Sequence, residues 1–269
     1  MVALLIASLA AAQAGTIAGW DFDTIGTQAA PYNSPSPTSG SGSATVLGMN
    51  NSYNNTNSLP YADVLASAGA STGSGSFGWR IRGGSVASGA GNPNGWSSQA
   101  PIGTQGAEFA VNTSLYNNIT ISFDIDTTAQ AERNLAVEYT LNDTVGSPTW
   151  LNASITSAGA NGGSIQTGSG VLTIGGNYVQ LSSTAGWNNQ ITASFSGVSA
   201  DPNFAVEIVN ASTGTDDLNV AGNAYNNSSG NWRYDNVFIS GTPVPEPSTL
   251  ALAGTGLLAL LKLRWQRKS

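Results

Sequence analysis

Carboxylates on strand-like segments are the residues of this chain best suited to chemistry, because the sequence contains no His and no Cys. Without these residues the chain can build neither a Ser-His-Asp triad, nor a thiol nucleophile, nor a zinc site with the usual ligands. Five carboxylates lie on alternating segments: Glu108, Asp124, Asp126, Glu138 and Glu207. A glycosidase needs two carboxylates roughly 5–10 Å apart across a cleft. Acid–base chemistry by such a pair is the catalytic chemistry that the composition leaves open.

Asp124 and Asp126 stand two residues apart and therefore share one face of a strand. We expect them to face water on the exterior of the domain. Two alternatives stay open, a pair of calcium ligands helped by carbonyl oxygens and a catalytic dyad. No cofactor is expected, and calcium is the one ion that the sequence leaves possible.

Seven Trp residues raise the question of glycan contact, because aromatic faces can stack on sugar rings. Trp96 and Trp187 stand beside Asn, Ser and Gly, which is typical of loops. Glycan contact by these two residues is one interpretation. Burial in the core is the commoner outcome for Trp and is the other interpretation.

The elements that must position these residues are strands. Apolar and polar residues alternate over 119–126, 135–142, 191–195 and 204–209, which predicts half-buried strands. The shorter strand candidates span residues 17–22, 44–49, 77–82, 107–111, 149–155, 171–174, 178–181 and 232–240. One helical turn is expected near residues 62–68.

Many short strands separated by Gly-, Asn- and Ser-rich turns, without a βαβ rhythm, predict an all-β fold. We expect residues 15–242 to form one two-sheet β-sandwich or jelly roll. The segment 231–240 weakly resembles the last strand of jelly-roll domains. It should pair with the opening strand, in which Trp20 and Phe22 alternate with acidic residues.

The charge of the chain is divided along its length. The net charge is −7 and the sequence pI is about 4.3, so we exclude nucleic acid as a partner. Before position 262 the basic residues are Arg80, Arg82, Arg133 and Arg233. All acidic residues except Glu246 lie, with these four Arg residues, between positions 15 and 242. An acidic, Lys-free body therefore precedes a basic end.

The N-terminal segment, residues 1–14, has the pattern of a secretory signal peptide. Residues 2–12 are small and apolar, and Ala12 and Ala14 supply the small side chains required before a cleavage site at Gly15. An apolar run of this length is too short to span a bilayer, which takes roughly 20 residues. The sequence therefore predicts export.

The C-terminal segment, residues 243–269, begins with the rigid sequence Pro245, Glu246 and Pro247. An uncharged run follows at 248–261 and predicts a transmembrane helix, because Lys262 can extend its long side chain toward the headgroups. The basic residues that should stop it on the cytoplasmic side are Lys262, Arg264, Arg267 and Lys268.

This order of Pro-Glu-Pro, apolar helix and basic end resembles the PEP-CTERM sorting signal, on which Lys262 stands unusually early. The resemblance implies that Pro245, Glu246 and Pro247 are recognised by an exosortase, a membrane protease that cuts near them. It also implies an exopolysaccharide-producing bacterium. The alternative is a plain tail anchor behind a Pro-rich hinge.

Together these features predict a secreted, non-enzymatic component of the cell surface or extracellular matrix. Its precursor is expected in the inner membrane, held by the C-terminal helix, with exosortase and the secretion machinery as partners. The first alternative is a carbohydrate-binding module that docks on exopolysaccharide. The second is a glycan-acting enzyme with paired carboxylates.

Overall fold

The computed structural model of the protein describes most of the β-rich body and a few residues of the C-terminal segment. The described residues are 13–28, 32–48, 61–66, 77–82, 96–97, 100–144, 146–168, 176–223, 226–227, 230–245, 254, 256, 260 and 264–266.

The described part of the chain folds into seventeen strands and one three-residue 3₁₀ turn, Gly214–Asp216. In chain order the strands are β1 (Gly15–Trp20), β2 (Ser39–Gly40), β3 (Ser43–Leu47), β4 (Tyr61–Ala66), β5 (Phe77–Arg82), β6 (Trp96–Ser97), β7 (Gly106–Val111), β8 (Tyr116–Thr127), β9 (Asn134–Thr140), β10 (Leu151–Asn152), β11 (Ser154–Ala160), β12 (Ser164–Thr167), β13 (Asn177–Gln180), β14 (Gly186–Ser194), β15 (Phe204–Asn210), β16 (Asn226–Asn227) and β17 (Trp232–Pro243).

The strands form two large antiparallel sheets. Sheet A runs β11-β14-β8-β17-β1-β2, with β5 paired to β17 and β4 paired to β5. Sheet B runs β12-β13-β9-β15-β7-β3, with β10 paired to β9. The short strands β6 and β16 form a separate pair. The prediction of an all-β fold is confirmed.

Alternation along the strands directs one face of each sheet into a common core. In β8, Ile119, Ile121, Phe123 and Ile125 are buried, as the sequence pattern predicts. The ring of Phe109 in sheet B lies 5.1 Å from Trp20, 6.0 Å from Trp79 and 5.9 Å from Tyr234, all in sheet A. Edge-to-face ring contacts of this kind join the inner faces of the two sheets.

The first and last strands of the body pair in the middle of sheet A. Gly15 lies opposite Gly241 and Trp20 lies opposite Val237. The predicted pairing of the opening strand with the segment 231–240 is therefore confirmed. It places the start and the end of the β-rich body side by side, at the ends of two neighbouring strands of sheet A.

Two local predictions were wrong. Residues 62–66 belong to β4 rather than to a helical turn, because Ala62 and Val64 enter the core and the strand pairs with β5 along its length. The predicted strand at 149–155 is two strands in different sheets, and the chain crosses between them at Ala153. The predicted strand at 171–174 lies outside the described residues.

The C-terminal segment is described only in part. Residues 254, 256, 260 and 264–266 are helical and exposed. Within the described residues, no helix combines the length and the apolar character needed to cross a membrane. Most of the predicted span at 248–265 lies outside the described residues, so the transmembrane helix stays a prediction.

Candidate functional site

The outer face of sheet A carries a row of charged residues on neighbouring strands. Arg233 in β17 lies opposite Asp126 in β8 on one side and opposite Arg80 in β5 on the other. Arg233 Nη1 lies 3.2 Å from Asp126 Oδ2, and Arg80 Nε donates to Asp63 Oδ1 at 2.8 Å. Each Arg thus has its own carboxylate, and the row is electrically neutral.

Asp124 occupies the next outward position of β8, and the expectation that it faces water is wrong. It is only 1% exposed, and both carboxylate oxygens accept hydrogen bonds from protein donors. Oδ1 accepts from the backbone N–H of Gln190 at 2.7 Å, and Oδ2 accepts from Asn236 Nδ2 at 2.9 Å. Gln190 and Asn236 have φ values of 60° and 49° and lie at irregularities where β14 and β17 bulge against β8. Asp124 therefore fixes the bulges on both neighbouring strands.

The calcium and dyad interpretations of Asp124 and Asp126 find no support in this geometry. Burial raises the pKa of Asp126, while Arg233 and the backbone N–H of Thr127 lower it. Within the described residues no group of three or more His, Cys, Asp or Glu side chains is arranged to hold a metal ion.

Asp235 is a second buried carboxyl on this face. It is 1% exposed, its Oδ1 accepts from the backbone N–H of Asn236 at 2.7 Å, and its Oδ2 has no hydrogen-bond partner among the described residues. Burial is the main reason why its pKa rises to about 8, and the negative charges of Asp23, Asp124 and Asp21 add to the rise. Asp235 is therefore largely protonated at neutral pH.

The outer face of sheet B brings together three carboxylates that the sequence shows far apart. Glu207 in β15 lies directly opposite Glu108 in β7 and Glu138 in β9. Side chains opposed in this way have Cβ atoms about 4.5–5.5 Å apart. The positions at the two ends of the row are Thr45 and Asn152, so no basic residue belongs to it. We call these three residues the glutamate row.

The surroundings of the glutamate row disfavour the charged form of its carboxyl groups. Burial, followed by the charges of Glu108, Glu138 and Asp143, raises the pKa of Glu207 to about 9. Burial and Asp143 raise the pKa of Glu108 to about 7, and burial alone raises that of Glu138. Glu207 is 5% exposed, with no hydrogen bond or ion pair from the described residues to its carboxyl. Glu207 is therefore largely protonated at pH 7, and Glu108 is partly protonated.

An open pocket of about 380 Å³ lies near one end of this row, beside β3, β7 and β15. Its polar lining consists of Ser41, Ser43, Asn112, Asp143, Thr144 and Asn203. Asp143 is the only ionisable group among the described residues that line it, and burial raises the pKa of that carboxyl.

Glu132 and Asp217 form a further buried carboxyl pair, at the end of β9. Glu132 Oε1 accepts from the backbone N–H of Asn134 at 2.7 Å and from Ser212 Oγ at 3.0 Å. Burial, together with a hydrogen bond and repulsion from Asp217, raises the pKa of Glu132 well above its usual range. Through these two bonds Glu132 joins the start of β9 to the segment after β15.

The structure separates the two Trp residues proposed for glycan contact. Trp96 is fully buried in β6, with its ring centroid 4.4 Å from that of Trp232, so the loop prediction was wrong and the ring is not accessible to a glycan. The polar residues next to Trp96 in the sequence gave no sign of this contact, because Trp232 is distant in the chain. Trp187 in β14 is half-buried, opposite Asp126. Glycan contact by Trp187 stays a prediction.

The predicted processing sites lie at the two ends of the β-rich body. Gly15 begins β1, and Ala14 before it is exposed, whereas Ala12 lies outside the described residues. At the other end β17 stops at Pro243, the backbone N–H of Val244 donates to Leu115 O at 2.8 Å, and Pro245 is exposed.

The remaining tail residues are described unevenly. Arg264 is helical and exposed, and the residues outside the described part are Glu246, Pro247, Lys262, Arg267 and Lys268.

Comparison with known proteins gives one finding, and it concerns the tail. A family model described as the PEP-CTERM protein-sorting motif matches residues 243–268. No curated protein and no solved structure matches the chain. The matched range begins at the last residue of β17 and includes Pro245, Glu246 and Pro247, so by its C-terminal motif the chain is a PEP-CTERM protein.

Proposed function

We propose that the chain is exported, processed at its C-terminal motif by an exosortase and retained as a non-enzymatic component of the cell surface or extracellular matrix. Its precursor is held in the inner membrane by the apolar segment and the basic residues of the tail. The secretion machinery and the exosortase are its processing partners.

The observation that carries this proposal is the position of the motif relative to the last strand. The motif begins at Pro243, where β17 ends, and Val244 and Pro245 are exposed. A cut after Pro245 removes none of the strands that the structure describes. The mature body can therefore keep its whole fold after the tail is lost.

The N-terminal boundary agrees with export. Sheet A begins at Gly15, the residue that follows the predicted cleavage site, and residues 13–14 are exposed. Removal of residues 1–14 therefore also leaves the sheets whole.

We further infer that the body is a β-sandwich of the jelly-roll kind. The ring contacts of Phe109 with Trp20, Trp79 and Tyr234 join the inner faces of the two sheets, as in a sandwich. The central pairing of β1 with β17 agrees with the weak resemblance of the segment 231–240 to a closing jelly-roll strand.

The burial of the carboxylates supports a role without catalysis. The glutamate row places carboxylates on neighbouring strands, but Glu207, its central residue, is only 5% exposed. Asp124 is 1% exposed, and both of its oxygens bind protein donors. A glycosidic oxygen cannot reach either carboxyl in this arrangement.

Intact-mass spectrometry of the surface-located protein tests the processing. We expect the mature chain to begin at Gly15 and to end near residues 245–247, so that Ser269 is absent. The triple variant Pro245→Ala, Glu246→Ala, Pro247→Ala should keep Ser269 and accumulate in the inner membrane. Ser248→Ala, just outside the three residues, is the matched control and should be processed normally. An intact Ser269 in the surface-located parent protein would refute processing.

A further inference from the structure

Hydroxyl side chains form an ordered array on the half of sheet A nearest the chain ends. One row crosses five adjacent strands, and each member lies directly opposite the next: Ser154, Ser194, Thr120, Ser240 and Thr16. A second, parallel row contains Ser157, Thr192 and Ser122. All eight residues are exposed or half-buried, and we call them the hydroxyl face. With strands about 4.8 Å apart, the longer row spans roughly 19 Å.

An aromatic ring lies within the second row. Phe238 in β17 is opposite Ser122 on one side and Gly19 in β1 on the other. A Cβ atom added to Gly19 would lie 2.5 Å from Cδ1 of Phe238, so the ring rests on the strand at the place where Gly19 has no side chain. The ring is half-buried and keeps part of its surface accessible.

The hydroxyl face contains no charged side chain, although the other half of the same sheet surface carries Asp126, Arg233 and Arg80. Hydroxyl groups both donate and accept hydrogen bonds and can adjust by rotation. Thr156 and Thr192 illustrate this, because their Oγ1 atoms lie 2.7 Å apart on the exposed surface. Such a surface offers neither cations to a phosphate nor carboxylates to a metal ion.

A neutral sugar polymer has the chemistry that complements this arrangement. Its rings present hydroxyl groups at their edges and C–H groups on their faces, which match the hydroxyl rows and an aromatic ring respectively. We propose that the hydroxyl face, centred on Phe238, binds an extended neutral polysaccharide. The inference rests on the proposed function, since it names the matrix partner of the sorted protein.

Affinity gel electrophoresis of the full-length chain tests this proposal. The neutral probes are hydroxyethylcellulose, mixed-linkage β-glucan and galactomannan, and alginate is the anionic control. We expect at least one neutral polymer to retard the protein and alginate to leave its mobility unchanged. Unchanged mobility in all neutral polymers would overturn the proposal.

Two variants locate the binding surface. Thr120→Glu with Ser194→Glu puts two charges into the longer row, and we expect the apparent affinity to fall at least tenfold. Phe238→Leu keeps an apolar side chain over Gly19 but removes the ring face, and a similar fall is expected. The matched control, Ser164→Glu with Thr167→Glu, changes two exposed residues of β12 in sheet B and should bind like the parent.

Two further readouts make the failures distinguishable. Near-ultraviolet circular dichroism and the Tm identify a variant that has lost its fold. If one of the two hydroxyl-face variants unfolds, the polymer binding of the other one tests the proposal. If the neutral polymers retard the hydroxyl-face variants as strongly as the parent, the binding surface lies elsewhere and the inference is overturned. If the same variants abolish dimer formation without affecting retention, the face binds a second copy of the chain instead. A chain that is processed and surface-located but binds no neutral polymer contradicts this inference and leaves the proposed function standing.

Discussion

The outer faces of the two sheets carry similar carboxylates in opposite electrostatic surroundings. On sheet A, Asp126 and Asp63 pair with Arg233 and Arg80. On sheet B, Glu207 has a glutamate on each side and no basic neighbour in its row. Arg233 therefore lowers the pKa of Asp126 against the rise that burial causes, whereas the carboxylates around Glu207 add to the rise that burial causes there.

This electrostatic difference between the two sheets depends on which residues the strand register places side by side, and not on the type of the acidic residue. Glu207 and Asp126 both occupy outward positions of alternating strands, and nothing in their local sequences distinguishes them. The neighbouring strand decides, because Asp126 meets Arg233 across the sheet and Glu207 meets Glu108. The residue directly opposite on the neighbouring strand therefore decides whether an outward charged side chain is stabilised or destabilised.

The largest effect is expected where a carboxylate on sheet A is removed. Asp124→Ala leaves the buried N–H of Gln190 and the amide of Asn236 without their acceptor, so it should lower the free energy of unfolding by about 3 kcal/mol. Urea denaturation at pH 7 measures the change. Ser122→Ala, at the previous outward position of β8, is the control and should change stability little. An equal effect of both variants would show that Asp124 does not hold the bulges.

On sheet B the removal of a carboxylate should have the opposite sign. Because the pKa of Glu207 rises from 4.5 to about 9, the folded state holds a proton that the unfolded state releases, and stability falls as pH rises between these values. Glu207→Gln needs no proton and should stabilise the protein at pH 8 by about 2 kcal/mol, or ~4–8 °C in Tm.

The pH dependence provides the control for Glu207→Gln. Below pH 4.5 the parent carboxyl is protonated in both states, so the variant and the parent should have similar Tm values. Thermal denaturation followed by circular dichroism at pH 4 and pH 8 measures both. A variant that is less stable than the parent at pH 8 would contradict the account of the glutamate row.

A smaller effect is expected from the loss of a paired cation on sheet A. Arg233 lowers the pKa of Asp126, so Arg233→Met should cost about 1 kcal/mol at pH 7. The loss should disappear as pH falls through the folded pKa of Asp126, which burial holds above the unfolded value of 3.8, because the folded carboxyl is then neutral with or without Arg233. In the background Asp126→Asn the cost should be smaller, and an undiminished cost would exclude the ion pair as its cause.

The smallest effect should come from giving sheet B the cation that it lacks. Thr45→Lys puts a basic side chain on exposed β3, opposite Glu108, and should raise stability at pH 8 by about 0.5 kcal/mol. Ser43→Lys, opposite Ala110 on the same strand, is the matched control. The gain of the first variant should vanish in 1 M NaCl, and equal gains from both lysines would mean that the glutamate row is not the cause.

The sequence predicted the features that local patterns encode. The alternation over 119–126 marked β8, and the order of the tail elements marked the sorting motif. The alignment of Glu108, Glu138 and Glu207 could not be predicted, because it depends on pairings between strands up to 99 positions apart. Trp96 was misread for the same reason, since its partner Trp232 is distant in the chain.

The pairing of β1 with β17 determines when the protein can fold. The strand β17 lies between β8 and β1, so the centre of sheet A is incomplete until the final strand of the body has been synthesised. Contacts that join the two ends of a chain form slowly, because a long loop must close first. Closure of sheet A is therefore expected to be a late step of folding, because β1 pairs with the strand of the body that is synthesised last.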